Sequence, residues 1–339
     1  MGKGLKDLKR RFVLTMYEAA ENLGMEVVSL KRDDYVRGTV DFQVPERLNK
    51  EELNLLGGFK VAKNTFIQKE LKEIKKQSPK ILVFDIETAP IKAYVWGLWN
   101  NDVGLNQINS DWHLLSWAAK WYGDSEDKVM YMDQRNKENI EDDSEILGAI
   151  WKLLDEADIV ITQNGRKFDQ KKLNARFIIN GFLPPSSYKH IDTCVIAKKH
   201  FGFTSNKLAY LTDKLCKKYK KLSHAKFTGF SLWEECLKNN IEAWKEMEEY
   251  NKYDVLSLEE LSAILMPWDN GINFNIYHDS DFIVCECGSL EFRKAGFYYT
   301  NTGKFQKYVC KKCGSETRDR KNLISKEKSK RIRMKTPKK

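Results

Sequence analysis

Apolar positions along this chain follow two rhythms, and the change of rhythm divides it. Leu5, Leu8, Phe12, Leu14, Met16, Ala19 and Leu23 recur at helical spacing, and Gly24 supplies a stop. A second helix is predicted over residues 50–56, closed by Gly57-Gly58. Residues 69–78 are polar and lysine-rich, and Pro79 ends them. Ile81-Leu82-Val83-Phe84 is then a continuous apolar run, the pattern of a strand buried on both faces. Further strands are predicted at residues 94–99, 114–122, 128–132 and 159–161, and helices at 143–156, 171–179, 208–216 and 241–265. Strands first, then helices alternating with strands, predict an α/β domain with a mixed sheet. The boundaries that follow are a mainly helical N-terminal module over 1–78, the α/β domain over 79–268, a cysteine-bearing module over 269–319 and a basic disordered tail over 320–339.

Charge sharpens this picture in one place. The formal net charge is +10, and residues 320–339 hold ten Lys/Arg against the single acid Glu327. The rest of the chain is nearly neutral. A tail of this kind suits a polyanionic partner, or serves as a solvated end. Lys6, Lys9, Arg10 and Arg11 add a basic face near the start, consistent with DNA binding or with docking of another element. No apolar run approaches the ~20 residues of a membrane span, and the first residues lack a signal peptide's apolar stretch. No membrane partner is expected, and the protein is expected to be cytoplasmic. Of the seven cysteines, four cluster late in the chain, which points to a metal site in a reducing compartment rather than a disulfide framework.

Three segments offer hard oxygen ligands of the kind that Mg²⁺ or Mn²⁺ prefers. The first is Asp85-Ile86-Glu87 at the end of the apolar strand, where the period of two puts both carboxylates on one side. The second is Asn164-Gly165-Arg166-Lys167-Phe168-Asp169, after the strand at 159–161. The third is Tyr250-Asn251-Lys252-Tyr253-Asp254, where Tyr250 and Asp254 share a helix face. Singly, each has an ordinary explanation: a strand running into a polar turn, a helix N-cap at Asp169, a Tyr/Asp pair of the kind common on helices.

Taken in order, Asp-x-Glu, Asn-x-x-x-Phe-Asp and Tyr-x-x-x-Asp resemble the three motifs of the DEDD exonuclease superfamily, which has a ribonuclease H-like fold and includes polymerase proofreading domains. The stretches at 94–99, 114–123 and 229–233 resemble its YprB-like branch, found among phage and prokaryotic nucleases. The superfamily divides on the third motif. One branch carries His five residues before the last Asp, where this chain has Glu249, and the other carries Tyr four residues before it, here Tyr250. The resemblance therefore implies a DEDDy 3′–5′ exonuclease using two Mg²⁺ or Mn²⁺ ions. Asp85, Glu87 and Asp169 would hold the first ion, Asp254 would share the binding and Asp85 would bridge to the second. Tyr250 would orient water, Asn164 and Phe168 would touch substrate, and Asp192 would either support the site or serve the fold. Nucleic acid is the implied partner, with DNA ahead of RNA. The alternatives are an inactive nucleic-acid-binding protein and a structure-specific endonuclease on the same fold.

The late cysteines form Cys285-Glu286-Cys287-Gly288-Ser289 and Cys310-Lys311-Lys312-Cys313-Gly314-Ser315. They resemble the two knuckles of a zinc ribbon, with one structural Zn²⁺ on four thiolates. The first knuckle is Cys-x-Cys where Cys-x-x-Cys is usual, so His278 is the distant substitute for Cys285. Between the knuckles, Asn301-Thr302-Gly303 predicts a turn, and Phe292, Phe297, Tyr298, Tyr299, Phe305 and Tyr308 are interleaved with Arg and Lys. Such rings either stack on bases or fill the ribbon's small core, and half are assigned to packing.

Overall fold

The structure is a computed structural model, and it describes residues 27–29, 41–42, 78–219, 226–277, 283–334 and 336. The chain divides into two compact units, Pro79–Ile272 and a unit composed of Met1–Ser78 with Asn273–Lys339. Before Ser78 the described residues form one antiparallel pair, β1 (Val27–Ser29) with β2 (Asp41–Phe42). The helices predicted at 5–23 and 50–56 lie outside the described residues, as does His278.

In the unit Pro79–Ile272 the central strand is β3 (Ile81–Thr88). A short hairpin follows, β4 (Lys92–Ala93) with β5 (Ile108–Ser110), and then β6 (Leu114–Trp121) and β7 (Met130–Asp133). Helix α1 (Ser144–Glu156) leads to β8 (Ile159–Thr162), α2 (Asp169–Ile179) to β9 (Lys189–Asp192). Helices α3 (Thr193–His200), α4 (Leu208–Leu215), α5 (Ser231–Leu237) and α6 (Ile241–Leu265) complete the unit. The five-stranded sheet has the order β7-β6-β3-β8-β9. Strands β8 and β9 run parallel to β3, and β6 is antiparallel to it. The mixed α/β sheet flanked by helices is the class expected from the strand and helix order.

Two predicted elements differ. Residues 94–99 are not a strand but part of the tip between β4 and β5. Their Trp and Tyr residues carry strand propensity, but Gly97 and the following Asn100-Asn101 break the run, and Asn100 has a left-handed φ of 55°. In the tail read as disordered, α7 (Lys326–Arg331) is helical, capped by Ser325 and with basic residues in its last turn.

The two faces of β3 have different tasks. Leu82, Phe84 and Ile86 pack against Ile146, Leu147, Ile150 and Leu154 of α1 and Leu173 and Phe177 of α2, forming the main core. At its edge Asp143 is fully buried. It accepts from Leu114 N at 2.8 Å and pairs with Arg176 at 2.6 Å, tying β6, α1 and α2 together. The opposite face carries Val83, Asp85 and Glu87, opposite Lys120, Ala118 and Ser116 of β6. Helix α6 lies across that face, and Ala243, Trp244, Met247 and Tyr250 pack with Leu232 and Cys236 of α5.

A buried lysine fixes the helix there. Lys120 is 2% exposed, and its Nζ lies 2.6 Å from Glu259 of α6 while donating to Asp124 O at 2.7 Å. Glu259 also accepts from Gly123 N at 2.7 Å. Nearer the helix start, Arg135 joins Asp133 at the end of β7 to Glu248, at 2.5 Å from each. A buried pair is costly to break because one charge is left without its counterion. Lys120→Ala should lower stability by about 3–5 kcal/mol, read from the urea midpoint. Lys120→Met combined with Glu259→Leu should recover most of that loss. An equal loss in the single and double variants would contradict the clamp.

Candidate active site

The carboxylates come from three elements. Asp85 and Glu87 leave β3 on the α6 side, two positions apart as the pleat requires. Asp254 is one turn beyond Tyr250 on α6, and both are buried. One oxygen from each of Asp85, Glu87 and Asp254 falls within 4.8 Å of the others.

Neutral donors orient these oxygens. Asn251 Nδ2 donates to Asp85 Oδ2 at 3.0 Å, and Asn251 Oδ1 accepts from Ser116 Oγ at 3.2 Å. Trp233 Nε1 donates to Glu87 Oε2 at 3.2 Å. The same indole meets Tyr250 edge-on, with ring centroids 6.2 Å apart. Asn251, Ser116 and Trp233 are the site residues that motif reading missed. Asn251 had a signal: it is three residues before Asp254, on the buried face of the helix.

Asp169 stands outside the group of three. It begins α2, is buried, and its Oδ1 accepts from Ile86 N at 3.3 Å. Strand β8 pairs with β3 only through Ile81–Val83, so the edge of β3 at Ile86 lies past that partner. Asp169 caps that edge, between the two β3 carboxylates in sequence. Burial pushes its carboxyl up to about 7, and the charge of Asp192 adds to that, against the pull of backbone N–H donors.

The turn that delivers Asp169 is organised by Asp192. Its Oδ1 accepts from Asn164 N at 2.9 Å and Cys194 N at 3.0 Å, and its Oδ2 from Arg166 N at 3.1 Å. One carboxylate thus caps α3 and holds the turn. Asn164 sits at a φ of 64°, and Gly165 has no room for a side chain: a Cβ would lie 2.1 Å from Thr162 Oγ1. Phe168 is exposed, with Lys172 Nζ 5.8 Å from its ring centroid.

The donor set fits divalent cations. Three carboxylates within 4.8 Å repel one another, and Asn251 and Trp233 orient them without adding positive charge. Oxygen ligands of this kind suit Mg²⁺ or Mn²⁺.

The C-terminal cysteines make a second candidate metal centre. Strands β10 (Phe292–Tyr299), β11 (Lys304–Cys310) and β12 (Glu316–Arg318) form a three-stranded antiparallel sheet. Cys285, Cys287, Cys310 and Cys313 have their sulfurs within 4.8 Å of one another, with Cys285 included. The knuckles share a backbone turn. Gly288 N donates to Cys285 O at 2.8 Å and Gly314 N to Cys310 O at 3.1 Å, with φ of 74° and 80° at the glycines. Hydrogen bonding with Cys285 draws the Cys287 thiol down to about 5. This cluster is compatible with a zinc ribbon. Phe292 and Tyr308 pack beside the cysteines, whereas Phe297, Tyr298 and Tyr299 are exposed.

The sheet order and the acidic site define an RNase H-like α/β fold. Residues 116–266, under half of the chain and beginning after Asp85 and Glu87, match the RNase_H superfamily. Among solved structures, the family B DNA polymerase from the hyperthermophilic archaeon Pyrobaculum calidifontis is similar at 13% identity and a TM-score of 0.41. The similarity covers 56% of this chain and 25% of that one, so this chain spans about a quarter of the polymerase's length. No curated protein matches the chain. The superfamily match supports a nuclease-type function, and with it nucleic acid as the partner. No helix among the described residues is long and apolar enough to cross a membrane.

Proposed function

We propose that this protein is a DEDDy-type 3′–5′ exonuclease of the YprB-like kind, acting on DNA in preference to RNA with two Mg²⁺ or Mn²⁺ ions. The observation that carries the reading is the meeting of Asp85, Glu87 and Asp254 oxygens within 4.8 Å. The 3′–5′ exonuclease direction rests on the motif order and on Tyr250 in place of the alternative His.

Asp85, Glu87 and Asp254 are the cation ligands in this reading, with Asp169 beside them at Ile86. Divalent ions, when bound, neutralise charge on the phosphodiester and lower the pKa of water. The chain's own residues do the positioning. Asn251 sets the orientation of Asp85, and Trp233 that of Glu87. Tyr250, packed against Trp233, orients the attacking water rather than taking its proton, because a phenol is a weak base at neutral pH. Asn164 and Phe168 flank the substrate strand. A cytoplasmic place of action suits a chain whose cysteines are not paired in disulfides.

On a 5′-labelled oligonucleotide with Mg²⁺ or Mn²⁺, the protein should give a ladder of shortening products. Asp254→Asn should slow this about a hundredfold or more, and Asn251→Ala about tenfold to a hundredfold, the scale for a group that orients a ligand. A single internal cut, or binding without cleavage, would overturn the proposal.

We further propose that Cys285, Cys287, Cys310 and Cys313 hold one structural Zn²⁺ as a zinc ribbon. Elemental analysis after gentle purification should find one zinc per chain, lost in Cys285→Ser and kept in Asp254→Asn. Absence of zinc from the unaltered protein rejects the ribbon.

A further inference from the structure

The hairpin after β3 carries large apolar side chains that the fold does not bury. Trp96 is 100% exposed, Leu98 88%, Trp99 87% and Tyr94 73%. Indoles give some of the largest gains on burial, so two of them in water mark a surface meant to be covered. Hydrogen bonds brace the tip that presents them. Tyr94 N donates to Gln107 O and Gln107 Nε2 to Tyr94 O, both at 2.9 Å. Asn101 Nδ2 donates to Gly97 O at 2.6 Å, and Gly104 N to Gln107 Oε1 at 2.8 Å.

The base of the hairpin is fastened to two of the segments that carry carboxylates, the end of β3 and α2. Lys92 follows Glu87 by five positions. Ala89 N, just past β3, donates to His113 O, just before β6, at 2.9 Å. The neighbouring Trp112 ring has Lys172 Nζ 3.6 Å from its centroid, and Lys172 belongs to α2, the helix that Asp169 begins.

We infer that the tip is a stacking platform for unpaired bases of the substrate strand, upstream of the scissile bond. The inference rests on the nuclease reading above and names how that site holds its substrate. The chemistry favours bases as the occupant. Residues 94–107 contain one charged side chain, Asp102, so this surface fits the flat faces of bases rather than the backbone. Indole and phenol rings stack on any base, as an enzyme that shortens strands of varied sequence requires. Asn100 and Asn101 at the tip offer donors and acceptors to base edges.

The test uses the full chain with two substrates, a 5′-labelled oligothymidylate and the 4-nitrophenyl ester of thymidine 5′-phosphate, which has no second base. Trp96→Ala with Trp99→Ala should raise KM for the oligothymidylate about tenfold or more with kcat nearly unchanged. Hydrolysis of the ester should not change. Trp96→Phe with Trp99→Phe should restore most of the oligothymidylate KM. An unchanged KM, or an equal loss on the ester, overturns the platform. A shift from dimer to monomer in sedimentation on the alanine substitutions makes a second copy the occupant and overturns it as well. Failure of the unaltered protein on both substrates rejects the nuclease reading, and the platform with it.

Discussion

Three carboxylates are held against their mutual repulsion because a 25-residue helix is clamped flat on the sheet face that bears two of them. Helix α6 brings Asp254 to Asp85 and Glu87 only if it cannot slide or roll. The buried Lys120–Glu259 pair pins it beyond Asp254, and Arg135 with Asp133 and Glu248 pins it before Tyr250. Between these anchors, Asn251 reaches down to Asp85 and to Ser116. Ionic anchors suit this place. Apolar packing tolerates small shifts, whereas a buried ion pair loses much of its energy when its geometry changes.

The site also uses the place where the sheet opens. Strands β3 and β8 part after Val83 and Ile161, and the chain then turns through Asn164-Gly165 into α2. Ligands of open α/β sheets bind in such crevices beyond the carboxyl ends of the strands. Here Asp169 fills the opened edge at Ile86, and Asp192, at the end of the neighbouring β9, holds the turn from below with both oxygens. Burial and the neighbouring charge of Asp192 raise the Asp169 carboxyl to about 7, so its charged form is costly at this position unless a cation lies near.

Much of this architecture was legible in the residues, and the exceptions have physical reasons. Ile81–Phe84 and 159–161 read as strands because both faces are buried and the apolar run is unbroken. Strand β9 escaped notice because Lys189 and His190 make its first half polar, as an edge strand permits. Helix α3 escaped because it is eight residues long and its N-cap, Asp192, resembled a site residue. The stretch 94–99 was read as a strand because aromatic residues favour strands, yet these rings point to solvent and pair with nothing in the sheet. Asp85, Glu87 and Asp254, singled out by motif spacing, do lie together. Asn251 and Trp233 were not, because a positioning contact depends on which faces meet in space. Cys285 joins the thiol cluster despite its short spacing, since the turn at Gly288 brings both sulfurs of the knuckle inward.

The central claim concerns where a divalent ion would sit. Crystals of the protein equilibrated with Mn²⁺ and measured at the manganese absorption edge answer it directly. The account predicts an anomalous peak in contact with carboxylate oxygens of Asp85, Glu87 and Asp254. A manganese peak elsewhere, or none at these three side chains, would contradict it.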